Sequence, residues 1–138
     1  MRQFQHTLAI RTEGPGLVEF TAQTASWITQ TGITDGLLTL LCRHTSASLM
    51  INENAAPAVQ RDIMRWLDRV APEGSHYEHD DEGPDDMPAH LKAALTGVNL
   101  TIPVAEGRMR LGTWQGLYLV EHRARAHHRE IALHLLGE

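Results

Sequence analysis

The sequence carries a single cysteine, no run of Lys or Arg, and no apolar stretch near the ~20 residues that a bilayer span requires. Each shortage removes a class of protein. With only Cys42 an internal disulfide cannot form, and its place in the apolar run Leu37 to Cys42 marks it as a buried, inert thiol. Twelve basic side chains against seventeen acidic ones give a net charge of −5. The chain therefore lacks the electrostatic footprint of a phosphate-backbone binder, and no nucleic acid is expected as a partner. No membrane partner is expected either. Met1 to His6 alternates polar and apolar residues without the apolar core of a secretion signal, so a cytoplasmic location is the expectation. There is no glycine-rich phosphate loop ending in Lys-Ser/Thr and no nucleophile elbow, which sets aside nucleotide hydrolysis and serine hydrolysis.

What is present reads as an ordinary globular chain. At 138 residues, with 42% hydrophobic and 21% charged side chains, it fits one domain spanning 1–138 that buries roughly two thirds of its unfolded surface. Phe4, His6, Leu8 and Ile10 alternate with polar neighbours as a half-buried strand does, and Gly14-Pro15-Gly16 ends the pattern. After a Leu17-Val18 extension, Thr21 offers a cap for a short helix with Ala22, Ala25, Trp27 and Ile28 inward and Gly32 at its end. Leu37 to Cys42 is apolar on both faces and predicts a fully buried strand, with Leu49-Met50-Ile51 as a second apolar run.

Val59, Ile63, Trp66/Leu67 and Val70 recur at helical spacing, with Asn54 as cap, Pro57 in the first turn and Pro72 as the stop. Gly74 to Asp86 is acidic and aperiodic, a loop of the kind that usually carries function or mobility. Asp86 can then cap a helix from Met87 to about Thr96, closed by Gly97. Val98–Val104, Met109–Leu111, Leu117–Arg123 and Ile131–Leu136 read as strands. The order β-α-β-β-α-α-β-β-β-β predicts an α+β fold with mixed, largely antiparallel sheets and helices on one side.

Three groups of residues could carry chemistry. Nine histidines are many for this length, and His44, His79 and His90 each stand at the edge of an element. Three imidazoles meeting at a point would make an open metal site, although their spacing fits no short ligand motif and three ordinary polar histidines remain the alternative. Asp80 and Asp81 adjoin His79 as orienting carboxylates or as part of a solvated loop. Thr45, Ser46 and Ser48 with Asn52, Glu53 and Asn54 form a pocket wall for phosphate or a heterocycle, or else satisfy their own turns. Gly112-Thr113-Trp114-Gln115-Gly116 precedes Glu121-His122-Arg123, where Arg123 could grip a phosphate; Trp114 reads first as a core residue. Strand alternation puts Glu121 and Arg123 on one face and His122 on the other.

His44-Thr45-Ser46-Ala47-Ser48-Leu49 with Asn52-Glu53-Asn54, Tyr77-Glu78-His79-Asp80, Asp85-Asp86-Met87-Pro88-Ala89-His90, Gly112-Thr113-Trp114-Gln115-Gly116 and Glu121-His122-Arg123 together resemble the YjbQ-like family, in order and nearly end to end. Members are often described as secondary thiamine-phosphate synthases. The resemblance implies an α+β fold around a β-sandwich, a homotrimer, and a cleft containing the shared histidines. It favours His44, His79 and His90 as ligands of a divalent metal, with zinc ahead of magnesium because imidazole suits a transition metal better. Thr45, Ser46, Asn52, Asp86 and Gln115 are then ligand-binding candidates, and Asp80, Glu121 and Arg123 catalytic ones.

The reaction implied joins hydroxymethylpyrimidine diphosphate to a thiazole phosphate and releases pyrophosphate, with Arg123 or Arg108 helping to neutralise the leaving group. Two alternatives stand beside it. One is a metal-dependent hydrolase of a small phosphorylated or amide substrate, with Glu121 or Asp80 as proton carrier. The other is a non-enzymatic trimeric module that binds a metal or ligand.

Overall fold

The computed structural model describes residues 1–74 and 76–138; Ser75, within the expected acidic loop, lies outside the described residues. The chain runs β1 (Arg2–Thr12), β2 (Gly16–Glu19), α1 (Thr21–Thr31), β3 (Gly36–Cys42), β4 (Ala47–Glu53), α2 (Pro57–Val70), α3 (Asp86–Thr96), β5 (Asn99–Ala105), β6 (Arg108–Met109), β7 (Gln115–Glu121) and β8 (His127–Gly137). Five strands form one sheet in the order β1-β8-β3-β5-β6, and three form another in the order β2-β7-β4. Every pairing among them is antiparallel. The expected α+β class is what folds.

Alternation builds the core between the sheets. Ile131, Leu133 and Leu135 of β8, Leu38, Leu40 and Cys42 of β3, and Ile102 and Val104 of β5 meet Leu117 and Leu119 of β7 and Ala47 and Leu49 of β4 in one cluster. Each fully buried aliphatic side chain there contributes about 1.5–3 kcal/mol. β7 is buried on both faces, because its other face carries Tyr118 and Val120 beneath the helices. Gln60 of α2 donates to the Tyr118 hydroxyl at 3.3 Å, and α3 packs on β4. The three-stranded sheet is thus the middle layer.

Several expectations change. β3 is not buried on both faces: it alternates, and Leu37 and Leu41 stay 45% and 46% exposed on the outer side of the five-stranded sheet. In α1 the inward residues are Thr24, Trp27, Ile28 and Thr31, while Ala22 and Ala25 face out. Phe20 occupies the cap position without a side-chain bond; the Thr21 hydroxyl instead accepts the Leu117 N–H and donates to Glu19. Ahead of α2, Glu53 takes the Ala55 and Ala56 N–H groups, and Asn54 reaches across to the Gln115 carbonyl. Leu67 carries the buried stripe of α2, whereas Trp66 and Val70 remain half exposed. Cys42 is buried as expected, and burial raises its thiol pKa.

A pair of glycines that composition alone does not mark closes the sheet. Gly36 of β3 faces Gly137 of β8, and a Cβ on Gly137 would lie 2.1 Å from the Asp35 carbonyl oxygen while one on Gly36 would lie 2.4 Å from that of Leu136. Only backbone fits there. Gly137→Ala is expected to lower unfolding free energy by about 1–3 kcal/mol, read from the urea midpoint; an unchanged midpoint would contradict the close approach.

Candidate functional site

Successive turns at the start of α3 put Asp86 and His90 on one face, four residues apart. Asp86 is not the helix cap that its position suggested; Asp85 takes that place, and the Asp86 side chain turns inward and is buried. Its Oδ2 lies 2.9 Å from His79 Nε2 and 3.1 Å from His90 Nε2, and its Oδ1 accepts Arg123 at 2.6 Å. His79, Asp86 and His90 each bring one ligand-capable atom within 4.8 Å of the others. Burial pushes the Asp86 carboxyl upward, but His79, His90 and Arg123 together hold it below its usual range. The same carboxylate raises the His79 pKa.

Proton counting sharpens this geometry. His90 Nδ1 lies 3.1 Å from the Thr45 carbonyl oxygen, which can only accept, so Nδ1 carries a proton and Nε2 is the ring nitrogen turned to Asp86. Two imidazole nitrogens therefore converge on one carboxylate oxygen, and a cation is what such a set attracts. Two nitrogens and one oxygen in an open arrangement fit zinc or another transition metal better than magnesium. A cavity of about 620 Å³ lined by Tyr77, Glu78, His79, Asp80, Asp81 and Met87 lies on one side. A second, of about 450 Å³, is walled by His44, Thr45 and His90 with Ala93, Ala94, Gly97, Val98 and Asn99.

His44 is the departure from the expected triad. Its Nε2 accepts the backbone N–H of Glu130 at 2.8 Å. A backbone N–H can only donate, so a neutral ring keeps its proton on Nδ1 and has no lone pair left for an ion. Burial, followed by the nearby Arg129 charge, lowers its pKa and keeps the ring neutral. The third donor in this geometry is Asp86, and His44 borders the adjoining cavity.

The other candidates divide by position. Asp80 is exposed beside His79. Thr45 holds His90 through its carbonyl, and the buried Ser46 hydroxyl accepts Arg129 at 3.0 Å. Asn52 pairs across from Gly116, with its side-chain oxygen on the Glu53 N–H, and Gln115 accepts the Gly112 N–H. Asn52, near the end of β4, and Gln115, at the start of β7 beside it, stand ~20 Å of strand from the cluster. Trp114, read as core, is 64% exposed on the same loop.

Arg123 is not free for a phosphate: it donates to Asp85, Asp86 and the Glu82 carbonyl, strapping the acidic loop to the cluster. β7 ends at Glu121 rather than Arg123, and the turn that follows lets Arg123 leave the strand plane. Glu121 is wholly buried, and its two oxygens take five donors: the Thr12 hydroxyl, two guanidinium nitrogens of Arg129, and the backbone N–H groups of His122 and Arg123. Burial raises its pKa, yet Arg129 and Thr12 outweigh burial and hold it below 4.5. That makes Glu121 a framework carboxylate rather than a proton carrier open to substrate. Sequence reasoning missed Arg129, although it sits in phase with the inward Ile131, Leu133 and Leu135. It also missed the buried chain His122, Ser48 and Thr96.

An antiparallel α+β sandwich with an open cluster of two histidines and one aspartate defines a class of protein with a candidate metal centre. The family profile described as UPF0047 protein YjbQ-like matches residues 6–138, and the chain belongs to that family. It is 46% identical over 138 residues to UPF0047 protein sll1880 of Synechocystis sp., covering 99% of this chain and 94% of that one. It is 52% identical over 103 residues to UPF0047 protein YjbQ of Salmonella typhimurium, covering 75% of each. Among solved structures, a hypothetical protein from Aeropyrum pernix K1 superposes with a TM-score of 0.89 at 30% identity, covering 98% of this chain and 99% of that one. A YbjQ-like protein of unknown function from Sulfolobus solfataricus P2 gives 0.88 at 26% identity, over 99% and 100% of the two chains. Among the described residues no helix is long and apolar enough to cross a membrane.

The Glu121–Arg129 pair makes a pH prediction. A carboxylate whose pKa is depressed by folding stabilises the fold above its ordinary value and loses that contribution as pH falls through the folded value. Glu121→Gln strands Arg129 beside a neutral amide, so at pH 7 it should cost roughly 3–5 kcal/mol of unfolding free energy. The difference from wild type should shrink as the pH drops below 4.5. Urea titrations from pH 7 to 3 check it; a constant difference would contradict the assignment.

Proposed function

We propose that this protein is a metal-dependent enzyme of small phosphorylated substrates, working in the cleft around His79, Asp86 and His90. The activity proposed is that of a secondary thiamine-phosphate synthase: hydroxymethylpyrimidine diphosphate joins thiazole phosphate and pyrophosphate leaves. The observation that carries the reading is the convergence of two imidazole nitrogens on one buried carboxylate oxygen between two cavities. When bound, a divalent ion, zinc before magnesium, supplies neutralisation of charge on a phosphoryl group.

The chain's own residues do the rest. Arg123 fixes Asp86, the Thr45 carbonyl fixes the His90 ring, and Asp80 stands at the rim of the larger cavity, where it can take or give a proton. His44, with its proton on Nδ1, offers a donor to an oxygen of the substrate in the second cavity. A nitrogen-containing ligand set also suits hydrolysis of a phosphorylated or amide substrate, which is the second reading. The homotrimer belongs to the same proposal. Leu37, Leu41 and Leu136 leave an apolar outer face on the five-stranded sheet that a second copy would cover.

Elemental analysis of the purified protein is expected to find a transition metal that Asp86→Ala and His90→Ala remove, that Arg123→Leu weakens roughly 10–100-fold, and that His44→Ala retains. Mixing the metal-loaded protein with both thiamine precursors should yield thiamine phosphate. Metal with turnover of phosphate esters or amides instead would select hydrolysis, and metal without any turnover would overturn both. Sedimentation should give three times the chain mass, falling to one in Leu37→Glu/Leu41→Glu.

A further inference from the structure

The cleft around the histidine cluster is short of the charge that a phosphorylated substrate needs. Among the described residues no Lys or Arg lines either of its cavities, and Glu78, Asp80 and Asp81 line the larger one. Arg123 is engaged by Asp85, Asp86 and the Glu82 carbonyl. A phosphate group carries about −1.5 to −2 charges at neutral pH, and a divalent ion already half neutralised by the Asp86 carboxylate does not balance it. A further cation has to come from elsewhere.

The opposite end of the fold carries two. Arg108 and Arg110 are exposed, and neither guanidinium has a carboxylate partner among the described residues, not even Glu106 in the turn before them. Trp114 follows, 64% exposed on a loop pinned at its backbone. There the Gly112 N–H donates to Gln115 Oε1 at 2.7 Å, the Gln115 N–H to the Gly112 carbonyl at 3.0 Å, and the Asn54 N–H to the Trp114 carbonyl at 3.0 Å. Trp and Arg are the residue types that most often anchor protein interfaces.

Strand geometry says which partner they fit. Asn99, at the start of β5, walls the smaller cavity, and Ala105, at its other end, pairs with Arg108. These strand residues span ~20 Å, well beyond the reach of an arginine, so a chain does not bring its own tip to its own cavity. Both ends nevertheless border one outer face of the five-stranded sheet. Asn99 stands beside the exposed Leu41, Pro103 stands beside the exposed Leu37, and the Arg110 N–H donates to the Pro103 carbonyl. Two copies lying head to tail across that face set the tip of one on the cavity of the other. Such a contact joins unlike patches, and repeated twice more it closes into a ring of three.

We infer that each cleft is completed by a neighbouring copy of this chain, whose Trp114 closes the smaller cavity against Ala94 and Val98 and whose Arg108 and Arg110 meet the substrate phosphate. The inference rests on the metal-centred trimer reading given above and adds to it the residues that hold the phosphate.

The test is a binding titration of the zinc-loaded full-length protein with thiamine phosphate, and with thiamine as the probe that lacks the phosphate. Arg108→Ala/Arg110→Ala should weaken thiamine phosphate roughly 10–100-fold, leave thiamine unmoved and leave the metal content intact. Trp114→Ala should weaken both probes alike, since it removes a wall and not a charge. His90→Ala should lose tight binding with its metal. Co-expressed in equal amounts, His90→Ala and Arg108→Ala/Arg110→Ala should regain tight binding at about a quarter of the clefts, those that pair an intact cluster with an intact tip. No regained fraction would place the whole site within one chain and overturn the inference, as would wild-type affinity for thiamine phosphate in the double arginine variant. A wild-type protein of single-chain mass would overturn the trimer reading and this inference with it. A trimer that ignores thiamine phosphate would do the same to the phosphorylated-substrate reading.

Discussion

The carboxylate of Glu121 is the constraint on which the rest of the molecule turns. It sits at the end of the central strand of the three-stranded sheet, where a buried charge is tolerable only if every lone pair is used. Arg129 and Thr12, from β8 and β1 of the other sheet, supply part of that demand and so tie the two sheets together. The rest comes from the next two backbone N–H groups, which curl the chain out of the strand. That curl sends His122 beneath α3 and Arg123 toward the start of the same helix. One ion pair thus sets the direction of both side chains.

From there the construction proceeds by borrowed rigidity. Arg123 fixes Asp86, Asp86 gathers His79 from the loop and His90 from the next turn of α3, and the Thr45 carbonyl fixes the far side of His90. The loop contributes His79, the helix both Asp86 and His90, and Arg123 follows the end of β7. The guanidinium of Arg123 joins the exposed loop to the buried frame through Glu82, Asp85 and Asp86.

Much of this was legible in the sequence, for physical reasons that differ by element. Period-two alternation records burial on one face in β8 and in the second half of β1, where Ile10 and Thr12 are buried. Phe4 and His6 alternate just as well and stay exposed, and of the helically spaced residues of α2 only Leu67 is buried. β3 misled because its outward leucines are as apolar as its inward ones, so the pattern could not tell core from exposed face. Asp86 misled for a related reason: an aspartate before a helix usually serves the backbone, whereas here Arg123, 37 residues away, captures it. The histidines were visible as a group, yet the choice between His44 and Asp86 rested on one backbone N–H from Glu130. No local spacing encodes a hydrogen bond between residues 86 positions apart. Arg129 was legible in principle, since a charged residue in phase with inward aliphatics demands a buried partner.

The division of labour within Asp86 has a consequence for ion choice. With Oδ1 clamped by a guanidinium, the carboxylate cannot swing round to grasp a guest with both oxygens. Calcium, which commonly relies on such two-pronged grips and on a crowd of oxygens, would have to break that clamp first. Selectivity at this centre would therefore come from immobility: a side chain denied rotation discriminates among visitors by refusing to accommodate them.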